Sequence, residues 1–135
     1  MNAYARAAVA AARYCRSDPA HDPKVAWIAA VMKVFPASES QRKKSCPHGA
    51  FLGLCEEGLV AGIPRGDFTR SKRNKAYAVR AVSMIRRDPS LADDTRKLWR
   101  RVIGGSRKVE NNQMDVVVAL WSAGVILHRS VAAAG

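Results

Sequence analysis

Acidic residues are scarce in this sequence: 11 Asp and Glu stand against 23 Lys and Arg in 135 residues, a formal net charge of +12 at pH 7. None occurs before Asp18. So few acids cannot neutralise so many cations by internal pairing, which excludes a chain electrostatically closed on itself. Long apolar runs are missing too. The longest uncharged stretch near the C-terminus, 116–127, has twelve residues, where a helical membrane span needs about 20. It reads as a buried helix, and no membrane partner is expected. Cysteine is limited to Cys15, Cys46 and Cys55, an odd number without framework spacing, which excludes a disulfide scaffold and points to the reduced cytoplasm. No segment alternates apolar and polar residues for long enough to make a sheet. Arg6 and Arg13 interrupt the Ala-rich N-terminus, which argues against a secretory signal, and a folded first helix is expected rather than an organelle presequence.

What is present is helical periodicity, in a chain long enough for one core and too short for two. Hydrophobic residues make up 48%, too many for a disordered chain. A first helix spans about Asn2 to Arg16, with Tyr4, Ala8, Ala11 and Cys15 on one face, and Asp18-Pro19 stops it. Asp22 offers an N-cap with Pro23 at the first helical position. Trp27, Ile28, Val31, Met32 and Phe35 then make a wide apolar face, ended by Pro36. Ser38 and Gln41 predict a capping box over a short turn. Cys46-Pro47 opens a helix carrying Phe51, Leu54 and Cys55, with Gly58 as its left-handed end. Residues 61–71 hold Gly62, Pro64, Gly66 and Asp67 and are predicted as a loop. Ser71 caps a helix over 72–87, with Tyr77, Ala81, Met84 and Ile85 inward, stopped by Asp88-Pro89. Helices over 94–103, with Leu98, Trp99, Val102 and Ile103 inward, and over 112–123 follow, ended by Gly104-Gly105 and Gly124; residues 130–135 should fray. The expected fold is all-α: a single compact helical domain over 1–135 with about six helices.

These helices form a repeating series. Tyr4-Ala5 begins a helix that ends at Asp18-Pro19, and Tyr77-Ala78 begins one that ends at Asp88-Pro89. Trp27, Ile28, Val31 and Met32 correspond to Leu98, Trp99, Val102 and Ile103 at an offset of 71. Residues 51–55 and 58–60 correspond to 117–121 and 124–126 at an offset of 66. The expectation is an internal duplication, two three-helix halves at 4–60 and 77–126 packed about one core. Neither half is large enough to be very stable alone.

Candidate chemistry is thin. Cys46, His48 and Cys55 are close in sequence, but a structural zinc site needs a second ligand pair and none is nearby. Cys55 also falls on the apolar stripe, so no metal is expected. Cys46, at a helix N-terminus beside His48, has part of the setting of a reactive thiol, without an evident partner for His48. Glu56-Glu57 ends a helix where negative charge opposes the dipole. It is expected to be a surface pair, offset by Arg42, Lys43 and Lys44 or by the basic second half of the chain. His21 and His128 stand alone. The segment 62–72 runs into a Lys/Arg-rich helix start, a usable anion site, although it lacks the spacing of a nucleotide P-loop. No catalytic residue and no cofactor is assigned.

Positive charge concentrates in the middle of the chain: residues 65–108 hold 14 Lys and Arg against four acids. Arg73, Arg80 and Arg87 recur every seven residues along one helical stripe. Arg96/Arg100 and Lys97/Arg101 are like-charged i,i+4 pairs that only Asp93 and Asp94 are placed to relieve. Counter-charge from a partner would stabilise such helices. Arg70, Lys72, Arg73, Arg80, Arg87, Arg100 and Arg101 are therefore the candidate anion or nucleic-acid contacts. The expected function is a non-enzymatic, basic helical binding protein engaging an acidic partner, either nucleic acid or an acidic protein surface. The alternative is a small enzyme or ligand-binding protein with a cleft where residues 46–57 meet 62–72, lined by Cys46, His48, Glu56 and Arg70.

The run CPHGAFLGLCEEGLVAGIP (46–64), then Ser71 and Asn74-Lys75-Ala76-Tyr77-Ala78, resembles a family of short bacterial proteins of unknown function. Leu98-Trp99 and the stretch from Gln113-Met114-Asp115 to Trp121 extend the resemblance over 46–126. It implies a bacterial cytoplasmic protein, often of the accessory or mobile-gene kind. The family has no assigned activity, so the resemblance transfers no catalytic residue.

Overall fold

The computed structural model describes residues 1–18 and 20–127; His128 and the fraying expected over 130–135 lie outside them. Within the described residues there are seven α-helices: α1 (Ala3–Ser17), α2 (Pro23–Val34), the single turn α3 (Glu39–Arg42), α4 (Ser45–Glu56), α5 (Lys72–Arg87), α6 (Thr95–Ile103) and α7 (Gln113–Ser122). A 3-10 turn covers Pro89–Asp93. The fold is all-α, as the periodicity requires, and six of the helices have nine residues or more. Among the described residues, no helix is long and apolar enough to cross a membrane.

Polar side chains set several of the helix starts. The carboxamide of Asn2 accepts from Ala5 N, Asp22 from Lys24 N, Ser38 from Gln41 N and Asp94 from Lys97 N, each satisfying an amide that has no partner inside its helix. At the other ends, Gly58 and Gly124 take φ of 74° and 75°, a left-handed conformation that glycine adopts without steric cost. Each reverses the chain in the same way. Leu59 N returns to Leu54 O and Val125 N to Leu120 O, after which Val60 and Ile126 form an antiparallel bridge.

Packing orders the helices as follows. α1 lies between α2 and α7, while α4 lies against α5 and α7, and α5 also covers α6. Alanines make the α1 contacts close, with Ala7, Ala8, Ala11 and Ala12 all buried. Trp27, Phe51, Leu54, Ile85, Leu98 and Leu120 fill the centre, each less than 2% exposed, and each contributes about 1.5–3 kcal/mol by leaving water.

Three expectations need correcting. Ile28 and Met32 are not part of the core: with Val25 they are more than half exposed. α2 lies at the edge of the bundle against α1 and α4, and among the described residues nothing covers Val25, Ile28 and Met32 on its outer side. On α5 the buried residues are Asn74, Ala78, Ala81, Val82 and Ile85, so Tyr77 and Met84 flank the core rather than centre it. Ser71 occupies the N-cap position of α5 but makes no cap bond; its hydroxyl accepts from Asn74 Nδ2 instead (2.7 Å).

Candidate functional site

The loop before α5 meets an anion that the chain itself supplies. Gly49 and Gly53, one turn apart on α4, let α5 approach closely. A Cβ at Gly53 would lie 2.5 Å from Lys75 Cα, and one at Gly49 2.9 Å from Asn74 Cβ. This crossing brings the last turn of α4 under the loop. Glu56, only 7% exposed, accepts through Oε1 from the backbone N–H of Phe68 (2.8 Å) and Thr69 (3.2 Å). Its Oε2 accepts from Lys72 Nζ (2.9 Å) and Lys75 Nζ (2.7 Å). Burial alone would raise the carboxyl. The hydrogen bonds from Lys75, then Lys72, then the two amides outweigh that and hold it well below the usual carboxylate range. Glu57 joins the cluster through Lys75 (3.2 Å) and Arg65 (3.1 Å). The pair expected at the surface is thus largely enclosed. The basic second half supplies its counter-charge, and among the described ion pairs none of Arg42, Lys43 and Lys44 reaches Glu56 or Glu57, Lys43 pairing with Glu39 instead. The anion position expected in 62–72 is filled by Glu56, and Lys72 is engaged there.

The other candidate cations face water. Arg70, Arg73, Arg80, Arg87, Arg100 and Arg101 are all exposed, as is Lys72. Among the described residues, no arginine of α5 or α6 has a carboxylate within 4 Å. Asp93 and Asp94 do not provide the relief expected of them, since Asp94 caps α6 through Lys97 N (3.0 Å). Arg80 donates to Val102 O at the end of α6 (3.0 Å), joining the stripes of the two helices into one basic face.

At one end of that face lies a cleft of about 410 Å3, lined by Cys46, Ser71, Arg73, Asn74, Tyr77, Trp99, Lys108, Val109, Asn111 and Gln113. The starts of α4, α5 and α7 and the side of α6 enclose it. Amides build its floor. Gln113 Nε2 donates to Asn74 Oδ1 (3.1 Å), Asn74 Nδ2 to Ser71 Oγ (2.7 Å), and Asn111 N to Gln113 Oε1 (2.6 Å). Asn74 and Gln113 are both buried, which carboxamides tolerate only when hydrogen-bonded. Trp99 Nε1 donates to Lys108 O (3.0 Å) and its ring meets Tyr77 edge-on at 5.1 Å. Of the four residues expected to line a cleft here, only Cys46 does so, with Asn111 Nδ2 3.6 Å from its sulfur. His48 turns to another side of α4 and stacks on Trp27, ring centroids 5.7 Å apart. Glu56 is ten residues further along α4, about 15 Å away at the helical rise, and Arg70 stands outside.

Sequence reasoning passed over most of the cleft. One signal was available: Asn74 shares the stripe of Ala78, Ala81 and Ile85, and Gln113 that of Val117 and Leu120. A polar amide on a buried stripe needs a partner. Cys46, Ser71, Asn74, Tyr77, Trp99 and Gln113 also lie in the segments that carry the resemblance noted from the sequence.

Among the described residues, the remaining thiols and the imidazoles assemble no site. Cys15 and Cys55 are buried, and burial pushes both thiols up, Cys55 strongly, away from the thiolate that reactivity requires. Burial lowers the pKa of His48; its Nε2 and the Nε1 of Trp27 have no partner among the described residues. Among the described residues, no three His, Cys, Asp or Glu side chains come together to hold a metal ion.

Over residues 1–127 the sequence matches a family described as a family of unknown function (DUF6979). No curated protein and no solved structure matches it.

Proposed function

The chain belongs to that family of unknown function, and from this premise we propose, on surface chemistry alone, that it is a non-enzymatic binding protein whose basic α5–α6 face holds nucleic acid. One observation carries the reading: the arginines of that face have no carboxylate within reach among the described residues. Among the described ion pairs, Lys72 and Lys75 at the start of α5 hold Glu56, Arg65 holds Glu57 and Lys43 holds Glu39. Like charges one turn apart on α6 weaken folding, and a polyanion laid across them removes that repulsion while releasing its own counterions. The three free thiols, Cys15, Cys46 and Cys55, suit a reducing compartment, the cytoplasm of the bacterial cell that the resemblance implies.

A mobility-shift titration at rising salt tests this. Affinity should fall by about 0.9 log unit per log unit of salt for each duplex phosphate contacted. Arg80→Ala or Arg87→Ala should reduce that slope by about one contact and weaken all sequences alike. If duplex DNA, single-stranded DNA and RNA all fail to shift at micromolar protein, the nucleic-acid reading is wrong and an acidic protein surface takes its place.

The two halves are, in our reading, copies of one ancestral unit. Three features support it: the paired glycine turns at Gly58 and Gly124, the matching returns of Leu59 to Leu54 and Val125 to Leu120, and the Val60–Ile126 bridge, which joins positions related by the offset of 66. The tryptophans do not correspond: Trp27 is aligned with Leu98, and its indole N–H has no partner, whereas that of Trp99 reaches Lys108 O. Superposing α1, α2 and α4 on α5, α6 and α7 in a crystal structure should bring Gly58 onto Gly124. Different crossing angles in the two sets would remove the duplication.

A further inference from the structure

The cleft at the end of the basic face is rich in donors and poor in acceptors. Three helices of ten residues or more begin at it, α4, α5 and α7, and in each the N-cap residue makes no side-chain bond to a first-turn amide. At α7 Glu110 Oε1 accepts from Met114 N instead (3.2 Å), leaving the amide of Gln113 free. α1, α2, α3, α6 and the 3-10 turn all have an N-cap bond. The residues able to cap are diverted. Ser71 accepts from the Asn74 side chain, and Asn112, at φ 73°, accepts from Lys44 Nζ and donates to Asp115. The backbone N–H groups of Cys46, Arg73 and Gln113, all lining residues, therefore meet no acceptor among the described residues. Two buried side chains add to this. Asn74 is 8% and Gln113 3% exposed; each carboxamide carries two N–H groups, and each has a single acceptor in place. Arg73 and Lys108 supply positive charge, and the lining contains no carboxylate.

We infer that this cleft binds a phosphate monoester, with the phosphoryl group at the convergent helix starts and the organic part against Tyr77. A tetrahedral dianion presents three peripheral oxygens to donors arriving from three directions, and free helix N-termini favour it electrostatically. A planar carboxylate, with one charge and two oxygens, would leave much of this donor set unused. Arg73 belongs both to the cleft and to the basic stripe, so the phosphate has two sources of identical chemistry: a free nucleotide, or the 5′-phosphate end of a nucleic-acid strand. The strand version rests on the nucleic-acid reading above, and the nucleotide version does not.

Calorimetric titration of the full chain separates these sources, with adenosine 5′-monophosphate, inorganic phosphate and two twelve-nucleotide single strands differing only in a 5′-phosphate. The cleft should take the nucleotide or the phosphorylated strand at least about tenfold more tightly than adenosine or the 5′-hydroxyl strand, the scale of losing charge-assisted hydrogen bonds. Lys108→Ala should reduce that preference about tenfold while the variant melts as the native chain does. Arg87→Ala, remote from the cleft, should weaken both strands equally and keep the preference. A preference for the phosphorylated strand with no binding of the nucleotide assigns the site to strand ends; the reverse assigns it to free nucleotides and leaves the basic face to be judged by its salt slope. Equal binding of both strands together with no heat from nucleotide or phosphate at millimolar concentration overturns the inference, as does a preference that Lys108→Ala leaves intact.

Discussion

Replacing Glu56 by Gln preserves the shape of the side chain and removes its charge. The carboxylate receives two lysines and two backbone amides at 2.7–3.2 Å, so four hydrogen bonds change at once. They do not count equally. Lys72 is 60% exposed and returns to water at little cost, and Lys75 keeps Glu57 at 3.2 Å. The Phe68 and Thr69 amides have no such recourse, and a glutamine oxygen serves them more weakly. In addition, the new NH2 group points donors at two ammonium groups. Charge-assisted hydrogen bonds contribute about 1.5–3 kcal/mol each when they cannot be replaced, so a net loss of about 3 kcal/mol is expected at pH 7. For a domain of this size that lowers Tm by roughly 10 °C. The sign of the pH dependence follows from the depressed pKa of Glu56. The unfolded carboxyl, near about 4.3, binds protons before the folded one does. Its stabilising contribution is therefore complete above that value and is lost as pH falls below it. Glu39 and Asp88 are also lowered and contribute to acid lability in both proteins, so only the difference between them reports on Glu56. Melts followed by circular dichroism from pH 7 to pH 3 should show the two proteins converging in acid. A variant that melts within about 1 °C of the native chain at pH 7, or a gap that does not narrow between about pH 5 and pH 3, would refute the assignment of Glu56 as the anchor of the 62–72 loop.

Gly53→Ala places a methyl group 2.5 Å from the Lys75 backbone, and separating α4 from α5 should cost about 2–3 kcal/mol even after the gain of about 1 kcal/mol in helix propensity. Gly105→Ala, with open space around it, should melt as the native chain does; equal melts for both variants would refute the close crossing. Trp27→Ala, emptying a site between His48 and Phe51, should lose about 3–5 kcal/mol in urea titration. Ile28→Ala, on the same helix but exposed, should change stability by less than about 0.5 kcal/mol. Purified protein should contain well below one equivalent of zinc by elemental analysis, and chelator should leave Tm unchanged, since a structural zinc ion would be coupled to folding.

Helix positions and ends were legible in the sequence because local chemistry sets them. Asp22-Pro23 starts α2, and Gly58 and Gly124 turn the chain wherever the rest of the molecule lies. The all-α class and the exposed arginine stripe of α5 follow from the same short-range periodicity. Which apolar face is covered does not, because it depends on how many neighbours a helix has. Trp27 is buried while Ile28 beside it is open to water, since α2 sits at the edge of the bundle. The partners of Glu56 were equally out of reach. They come from residues 12 to 19 positions away, gathered only because Gly49 and Gly53 let α5 cross α4 closely. The cleft is the extreme case. Cys46, Asn74 and Gln113 are separated by tens of residues, and the one local sign, a polar amide on a buried stripe at Asn74 and at Gln113, does not say which residues it meets. Their grouping around one cleft exists only once three helix starts have been packed together.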